Sequence, residues 1–274
     1  NIFVAGFKEI CKIGYLGVDL FFVLSSFLLS SIALKEIDKT GTLSLKGYLK
    51  RRGLRILPLY LFVLVITFLI PVLQQSFGMV ESELPSILYF VSFTLNFKAI
   101  EGDQFLMIIL WTISLEVQFY LFNALIRKCF LWVNILLILG SLVFRYFKID
   151  DHLTLHYHTL SLASCFAIGN LLALFLYKNQ YSHKSEGAFP LGGILGISVF
   201  LSYPFLQKIE VILWLEKIIF PICFSALIFY QTRSGGFNFF QFKRVNYLGK
   251  ISYGLYCYHG FNIAISSKII GNIQ

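Results

Sequence analysis

The sequence predicts an all-α, polytopic integral membrane helix bundle with about eight full spans and one partial or re-entrant segment. Hydrophobic residues make up 57% of the 274 residues, and charged residues only 14%. A soluble domain carries about 25% charged residues. The apolar residues also fall in repeated runs, most of them close to the roughly 20 residues that a helix needs to cross a bilayer. We therefore expect residues 1–274 to form a single multi-pass transmembrane domain.

Nine apolar runs, each bounded by polar, Gly or Pro residues, define the predicted segments in order. They cover residues 15–34, 55–73, 86–97, 105–126, 129–146, 157–177, 189–206, 211–231 and 251–270. The run at 86–97 has about twelve residues, a length typical of a re-entrant or interfacial segment. If it does not cross and the 35–55 loop is cytoplasmic, 15 of the 23 Lys and Arg residues are cytoplasmic, against 13 if it crosses. Loop charge therefore favours a partial segment.

The basic balance and the cysteines each exclude a class of function. The net charge of +9 would suit a nucleic-acid partner, but the basic residues lie in short loops between spans. That pattern is typical of the positive-inside rule, so no nucleic-acid partner is expected. The five cysteines show no CxxC and no ligand spacing. We therefore expect neither a disulfide framework nor a metal site.

A basic hairpin is predicted between the first two spans, where a short loop meets the membrane. Arg52 and Arg55 are three residues apart at the start of the next helix, which places both on one face, and Arg51 adds charge beside them. The cluster could set topology and attract anionic lipid. It could also clamp a phosphate, because arginine binds phosphate in a bidentate manner.

Two carboxylates are placed inside predicted spans. Asp19 lies in the first run, and Glu116 lies near the middle of the run at 105–126. A carboxylate at that depth costs at least about 2.5 kcal/mol, so it must face a polar cavity, find a partner or be protonated. A functional role is the default interpretation. The alternative is an ion pair or hydrogen bond that locks helix packing.

The histidines differ in what they indicate. His152, His156 and His158 lie close together, but the i, i+4 pair lacks the Glu of an HExxH motif, so a polar interfacial loop is favoured over a metal site. His259 lies in the last predicted span. It could orient a substrate or relay protons, or it could be a packing residue.

Four stretches match, in order, the signature of a known family. They are Gly-Val-Asp-Leu-Phe-Phe-Val-Leu-Ser at 17–25, Arg-Gly-Leu-Arg at 52–55 with Pro-Leu-Tyr at 58–60, Trp-Thr-Ile-Ser-Leu-Glu-Val-Gln-Phe-Tyr-Leu at 111–121, and Leu-Gly-Lys-Ile-Ser-Tyr-Gly-Leu-Tyr at 248–256 with His259. Residues 166–173 fit a weaker pattern. On these residues the chain resembles the membrane-bound acyltransferase-3 family of bacterial envelope O-acyltransferases, over nearly its whole length.

The resemblance implies an activity and a location. Such a protein would move an acyl group, usually acetyl, from cytoplasmic acetyl-CoA or another acyl-CoA to a hydroxyl of an envelope carbohydrate or lipid-linked glycan. It would be a multi-pass protein of the bacterial cytoplasmic (inner) membrane.

The resemblance also assigns roles to residues. It implies that the arginine cluster contacts the CoA phosphates, and that Glu116 belongs to a catalytic cavity with Asp19 as a second acidic member. The full set of candidate residues comprises catalytic Glu116 and Asp19, CoA-binding Arg51, Arg52 and Arg55, and the substrate-cavity residues Tyr120, Tyr253, Tyr256 and His259.

The chain departs from the family pattern at three points. Ser26 replaces a glycine, and Val117 replaces a second glutamate. The family's catalytic histidine, with an arginine before it, belongs to a first helix that should precede Asn1. The chain is expected to be truncated at its N-terminus, and the alternative is that the protein lacks this histidine.

Two alternatives stay open on the sequence. A multispan transporter or flippase for an anionic lipid-linked sugar would also use intramembrane carboxylates and basic loops, although no inverted repeat is evident. A family member that lost catalysis and acts in assembly or sensing is the third hypothesis.

Overall fold

The computed structural model describes residues 14–76, 84–102, 107–125, 130–179, 209–233 and 242–271. Within these ranges every regular element is helical. The helices are α1 (Leu16–Thr40), α2 (Leu45–Ser76), α3 (Ile87–Val91), α4 (Leu95–Ile100), a 3₁₀ turn (Ile108–Leu110), α5 (Trp111–Leu125), α6 (Phe130–Phe147), α7 (His152–Tyr157), α8 (Thr159–Lys178), α9 (Glu210–Arg233) and α10 (Lys243–Gly271).

Among the described residues, five helical stretches are long and apolar enough to cross a bilayer, which makes this a multi-pass membrane protein. They are Leu16–Thr40, Leu45–Leu69, Phe130–Phe147, His152–Lys178 and Glu210–Arg233. The predicted run at 251–270 falls within α10, and the run at 189–206 lies outside the described residues. The total of eight crossings therefore stays a prediction.

As predicted, the segment at 86–97 does not form a single helix that crosses the membrane. It forms α3 and α4, of five and six residues, with a turn between them in which Phe93 has a positive φ of 55°. At 1.5 Å per residue each helix is only about 8–9 Å long. The hydrocarbon core is about 30 Å thick, so neither helix can span it.

The predicted basic hairpin was wrong, because the second helix begins about ten residues earlier than expected. Gly41 ends α1 with a φ of 73°, and α2 starts at Leu45, so the connection has only four residues. The cationic residues lie on the first turns of α2 rather than in a loop. Hydropathy could not show this, because a helix that emerges from lipid continues through polar residues.

The chain forms two compact units. The first comprises Asn1–Leu43 and Phe122–Asn238, and the second comprises Ser44–Leu121 and Phe239–Gln274. In the first unit α8 packs against α1, α6 and α9. Every residue of α8 from Ser161 to Asn170 is buried. A helix buried all round is a central helix, so α8 is the axis of this unit.

A single glycine sets how closely α1 approaches α8. A Cβ on Gly169 would lie 2.0 Å from the Ser26 side-chain oxygen and 2.3 Å from the Val23 carbonyl oxygen. The Ser26 hydroxyl donates to that carbonyl at 3.0 Å. The serine that replaces a family glycine is thus accommodated, because its hydroxyl is satisfied on its own helix and faces another glycine.

In the second unit α10 packs against α2 and the 3₁₀ turn. Side chains hold the break between α3 and α4 in place. Gln118 donates through Nε2 to the Phe93 carbonyl at 2.7 Å and to Asn96 Oδ1 at 2.9 Å. Tyr60 donates to the Phe90 carbonyl at 2.9 Å. These bonds tie α2 and α5 to the backbone carbonyls at the break between the two short helices.

Candidate active site

A polar stripe runs along one face of α5 in the second unit. Thr112, Glu116 and Tyr120 are spaced four residues apart, so their side chains lie one above the other. All three are buried. The Tyr120 hydroxyl donates to Glu116 Oε1, which gives the buried carboxylate a hydrogen-bond donor from the next turn.

Arg52 of α2 joins this stripe. Its guanidinium carbon lies 5.8 Å from the centre of the Tyr120 ring, which is cation–π geometry. The same guanidinium is attracted electrostatically to Glu116. The structure therefore brings three predicted site residues together: Arg52, Tyr120 and Glu116.

The neighbouring arginines differ from Arg52 in exposure. Arg51 and Arg55 are exposed, whereas Arg52 is half-buried. One guanidinium thus reaches into the protein while two others, on the same turns of α2, face outward. An anion with several phosphates could contact all three, since each arginine offers donors in a planar fork.

Two tyrosines of α10 contribute to the same unit. The Tyr256 hydroxyl lies 2.5 Å from Thr112 Oγ1 and donates to the Ile109 carbonyl at 2.5 Å. The Tyr253 hydroxyl donates to the Ile56 carbonyl at 3.0 Å. Tyr256 therefore ends the α5 stripe opposite Tyr120, and Tyr253 ties α10 to α2.

The structure places His259 differently from these tyrosines. Its side chain is exposed, and its Nδ1 lies 3.1 Å from the Tyr256 carbonyl oxygen. It belongs to the surface of α10 rather than to the buried polar stripe. Its role in a substrate cavity stays a prediction.

Asp19 lies in the first unit, in a network of four buried charges. Its carboxylate accepts from Lys217 Nζ at 2.8 Å and 3.1 Å. Lys217 Nζ also lies 3.3 Å from Glu216 Oε1, which in turn lies 3.2 Å from a terminal nitrogen of Arg145. The network contains two acids and two bases, so its formal charge is balanced.

Arg145 anchors this network to three helices. Its Nε donates to the Trp214 carbonyl at 3.0 Å, and a terminal nitrogen donates to Ser161 Oγ at 2.7 Å. Its other terminal nitrogen donates to the Leu213 carbonyl. A guanidinium with only 1% exposure is thus fully used, and it joins α6 to α8 and α9.

Sequence reasoning missed Arg145, Glu216 and Lys217. The last two are adjacent and lie within the predicted span at 211–231. That adjacency is a signal, because neighbouring opposite charges inside an apolar run can neutralise each other. For Asp19 the geometry matches the interpretation of an ion pair that locks helices, and its catalytic role stays a prediction.

The histidine group does not form a metal centre in the described part of the chain. Within those residues no group of three His, Cys, Asp or Glu side chains could hold an ion. His158 instead caps α8, accepting at Nδ1 from the Leu160 amide at 3.1 Å. Asp151 caps α7, and hydrogen bonds from Thr154 lower the pKa of its carboxyl.

Comparisons with known proteins agree with the motifs. The chain is 30% identical over 183 residues to "Putative O-acetyltransferase SACOL0978" of Staphylococcus aureus strain COL, which covers 58% of this chain and 30% of the relative. It is 26% identical over 278 residues to "O-acetyltransferase OatA" of S. aureus strain NCTC 8325, covering 90% and 45%. The chain thus spans less than half the length of these relatives. No solved structure matches it significantly.

The family assignment rests on a match to almost every residue. The model of a family described as an acyltransferase domain, Acyl_transf_3, matches residues 2–274. The chain therefore belongs to the acyltransferase-3 family.

Proposed function

We propose that this protein is an O-acyltransferase of the bacterial cytoplasmic membrane. It moves an acetyl or other acyl group from cytoplasmic acyl-CoA to a hydroxyl of an envelope carbohydrate. The observation that carries the proposal is the contact between Arg52, Tyr120 and Glu116 in the second unit. Through the Tyr120 phenol, this contact links the Arg52 guanidinium, a group that can bind an anion, to the buried Glu116 carboxylate.

The arginines supply the binding of the donor. Arg51 and Arg55 are exposed and bind CoA phosphates at the protein surface. Arg52 is half-buried and binds the phosphate that lies deepest in the protein. Because Arg52 lies over the Tyr120 ring, its position is fixed before the donor binds. Binding then places the thioester beside the α5 stripe.

The reaction is attack of a hydroxyl oxygen on the thioester carbonyl carbon. A C–O bond forms, the C–S bond breaks, and CoA leaves as a thiolate that takes up the proton lost by the hydroxyl. In this proposal Glu116, which accepts a hydrogen bond from Tyr120, takes the proton from the hydroxyl and passes it to the departing thiolate.

The test uses membranes that carry this protein, supplied with acetyl-CoA labelled in the acetyl group. We expect label to move into envelope carbohydrate, and to fall by about 10²- to 10⁴-fold in Glu116→Gln, the range for general acid–base groups. Lys46→Ala is the matched surface control on α2, because Lys46 is exposed.

The proposal would be overturned if correctly inserted protein consumed no acyl-CoA. A transporter or flippase for a lipid-linked sugar would give that result, since transport leaves the thioester intact. Loss of label equally in Lys46→Ala would show that the variants act through insertion and not through the site.

A further inference from the structure

A cavity of about 300 Å³ opens at one end of the first unit, apart from the α5 stripe. Tyr15, which precedes α1, the residues of α7 and the start of α9 line it. Small-molecule sites range from about 300 to 1,000 Å³, so this one admits a group the size of a single ring.

The cavity lies at the end of the unit opposite the basic C-terminal ends of three helices. The C-terminal ends of α1, α8 and α9 carry Lys39, Lys178 and Arg233. These ends lie together, because Tyr177 donates to Asp38 at 2.8 Å and Arg233 donates to the Asn179 carbonyl. By the positive-inside rule the basic ends are cytoplasmic. The cavity therefore opens away from the cytoplasm.

Neighbouring cations balance the negative charge of Glu216, the carboxylate in the cavity. Glu216 Oε1 lies within 3.3 Å of both Arg145 and Lys217. Its Oε2 is on the side of Tyr15, whose hydroxyl lies 3.5 Å away. Lys217 Nζ in turn lies 5.3 Å from the centre of the Tyr15 ring. Because these two cations balance its charge, the Glu216 carboxylate is an oriented hydrogen-bond acceptor that suits a neutral ligand better than an ion.

The remaining walls combine aromatic and apolar surface. The His156 ring makes edge-to-face contacts with Tyr15 and Tyr157, at centroid distances of 5.6 Å and 4.7 Å. The lining is completed by His152, Leu153, Leu155 and Leu213. An imidazole and two phenols donate and accept hydrogen bonds, and their ring faces attract weakly positive C–H groups. A pyranose ring presents hydroxyls at its rim and C–H groups on its face.

We propose that this cavity binds one sugar ring of the carbohydrate acceptor on the outer side of the membrane. Glu216 and His156 hydrogen-bond its hydroxyls, and the Tyr15 ring packs against its C–H face. The identification of the sugar as acceptor rests on the proposed function. Binding of the sugar does not, because none of these residues belongs to the α5 stripe.

The test is saturation-transfer NMR on the full chain in lipid nanodiscs, with the methyl β-glycoside of N-acetylglucosamine and methyl α-glucoside as probes. We expect transfer to the ring protons of at least one probe. His156→Ala and Tyr15→Ala should each weaken its binding by about 3- to 10-fold, the equivalent of one hydrogen bond or ring contact. Tyr146→Ala, which removes an exposed aromatic ring of α6, should leave binding unchanged.

Three results would contradict this proposal. The first is the absence of binding for both probes. The second is binding that stays within twofold of wild type in His156→Ala and Tyr15→Ala. The third is displacement of the bound probe by inorganic phosphate but not by free sugar. Arg52→Ala separates this test from that of the proposed function. It should raise the KM for acetyl-CoA and leave sugar binding intact. If the wild-type protein binds the sugar but consumes no acetyl-CoA, the proposed enzymatic function is wrong and the proposed sugar site stands.

Discussion

The two units hold their buried charges in different ways. In the first unit Asp19, Arg145, Glu216 and Lys217 are at most 5% exposed, and every charge has an opposite charge within 3.3 Å. In the second unit Glu116 accepts from a phenol, and the nearby Arg52 is half-buried against the same ring. A closed set of ion pairs resists change, whereas a carboxylate beside a partly open arginine can respond to a ligand. We infer that the first network holds helices together and that the second handles the donor.

The largest expected effect tests the closed network. Lys217→Met leaves Asp19 and Glu216 without their shared cation and should destabilise the protein by about 3–5 kcal/mol, the cost of breaking a buried pair. Thermal unfolding in detergent measures it. Lys98→Met is the matched control, because the Lys98–Glu101 pair is at the surface with Glu101 55% exposed, and such pairs contribute at most about 1 kcal/mol. Equal losses in the two variants would contradict a special role for the buried network.

The second prediction tests the open site. Arg52→Ala should raise the KM for acetyl-CoA by about 10- to 100-fold, the equivalent of one charge-assisted hydrogen bond. Stability should fall less than in Lys217→Met, because Arg52 is half-buried whereas Lys217 is enclosed in the closed network. Steady-state kinetics on membranes of matched expression measures the change. A fall in kcat at constant KM would show that Arg52 acts on the reaction and not on donor binding.

The third prediction concerns helix packing in the first unit. Gly169→Ala should destabilise by about 1–3 kcal/mol, because its Cβ meets the Val23 backbone, which cannot move aside as a side chain can. Ser26→Gly should not rescue it, since the carbonyl clash remains. Gly140→Ala is the control, because nothing lies within 4 Å of its Cβ, and it should stabilise by about 0.5–1 kcal/mol. Rescue by Ser26→Gly would mean that the hydroxyl alone limits the approach.

The smallest effect concerns a buried hydroxyl on α5. Ser114 is fully buried, and its oxygen has no hydrogen-bond partner among the described residues. Ser114→Ala should leave stability within about 1 kcal/mol of wild type, in the stabilising direction, because an unpaired buried hydroxyl is costly. Thr112→Val should instead destabilise, since it removes one of the two hydrogen-bond partners of the Tyr256 hydroxyl. Chemical denaturation of both variants checks the sign.

Much of the fold follows from hydropathy, and the exceptions have physical reasons. The apolar runs predicted helices at the first, fifth, sixth and eighth spans to within a few residues, apart from the end of the first, which continues to Thr40. They could not show that α2 starts at Leu45, because its first turns are polar. The run at 86–97 was predicted correctly as too short to cross, since length alone decides it.

The types of side chain in the candidate site could be predicted from the sequence, but the residues that they contact could be predicted only in part. The motif residues Arg52, Glu116 and Tyr120 do come together, because spacing along α5 and the arginine cluster of α2 were both visible in the sequence. The partner of Asp19 was not, since Lys217 is 198 residues away and only tertiary packing joins them. Long-range ion pairs between spans leave no local pattern.

One measurement tests the division of roles most directly: acetyl transfer and thermal stability, recorded together for Glu116→Gln and Asp19→Asn. We expect Glu116→Gln to keep its stability and to lose transfer by about 10²- to 10⁴-fold. Asp19→Asn should lose stability, because Lys217 loses its closest partner, and should keep transfer per folded molecule. Full stability with abolished transfer in Asp19→Asn would contradict the account and make Asp19 a catalytic residue.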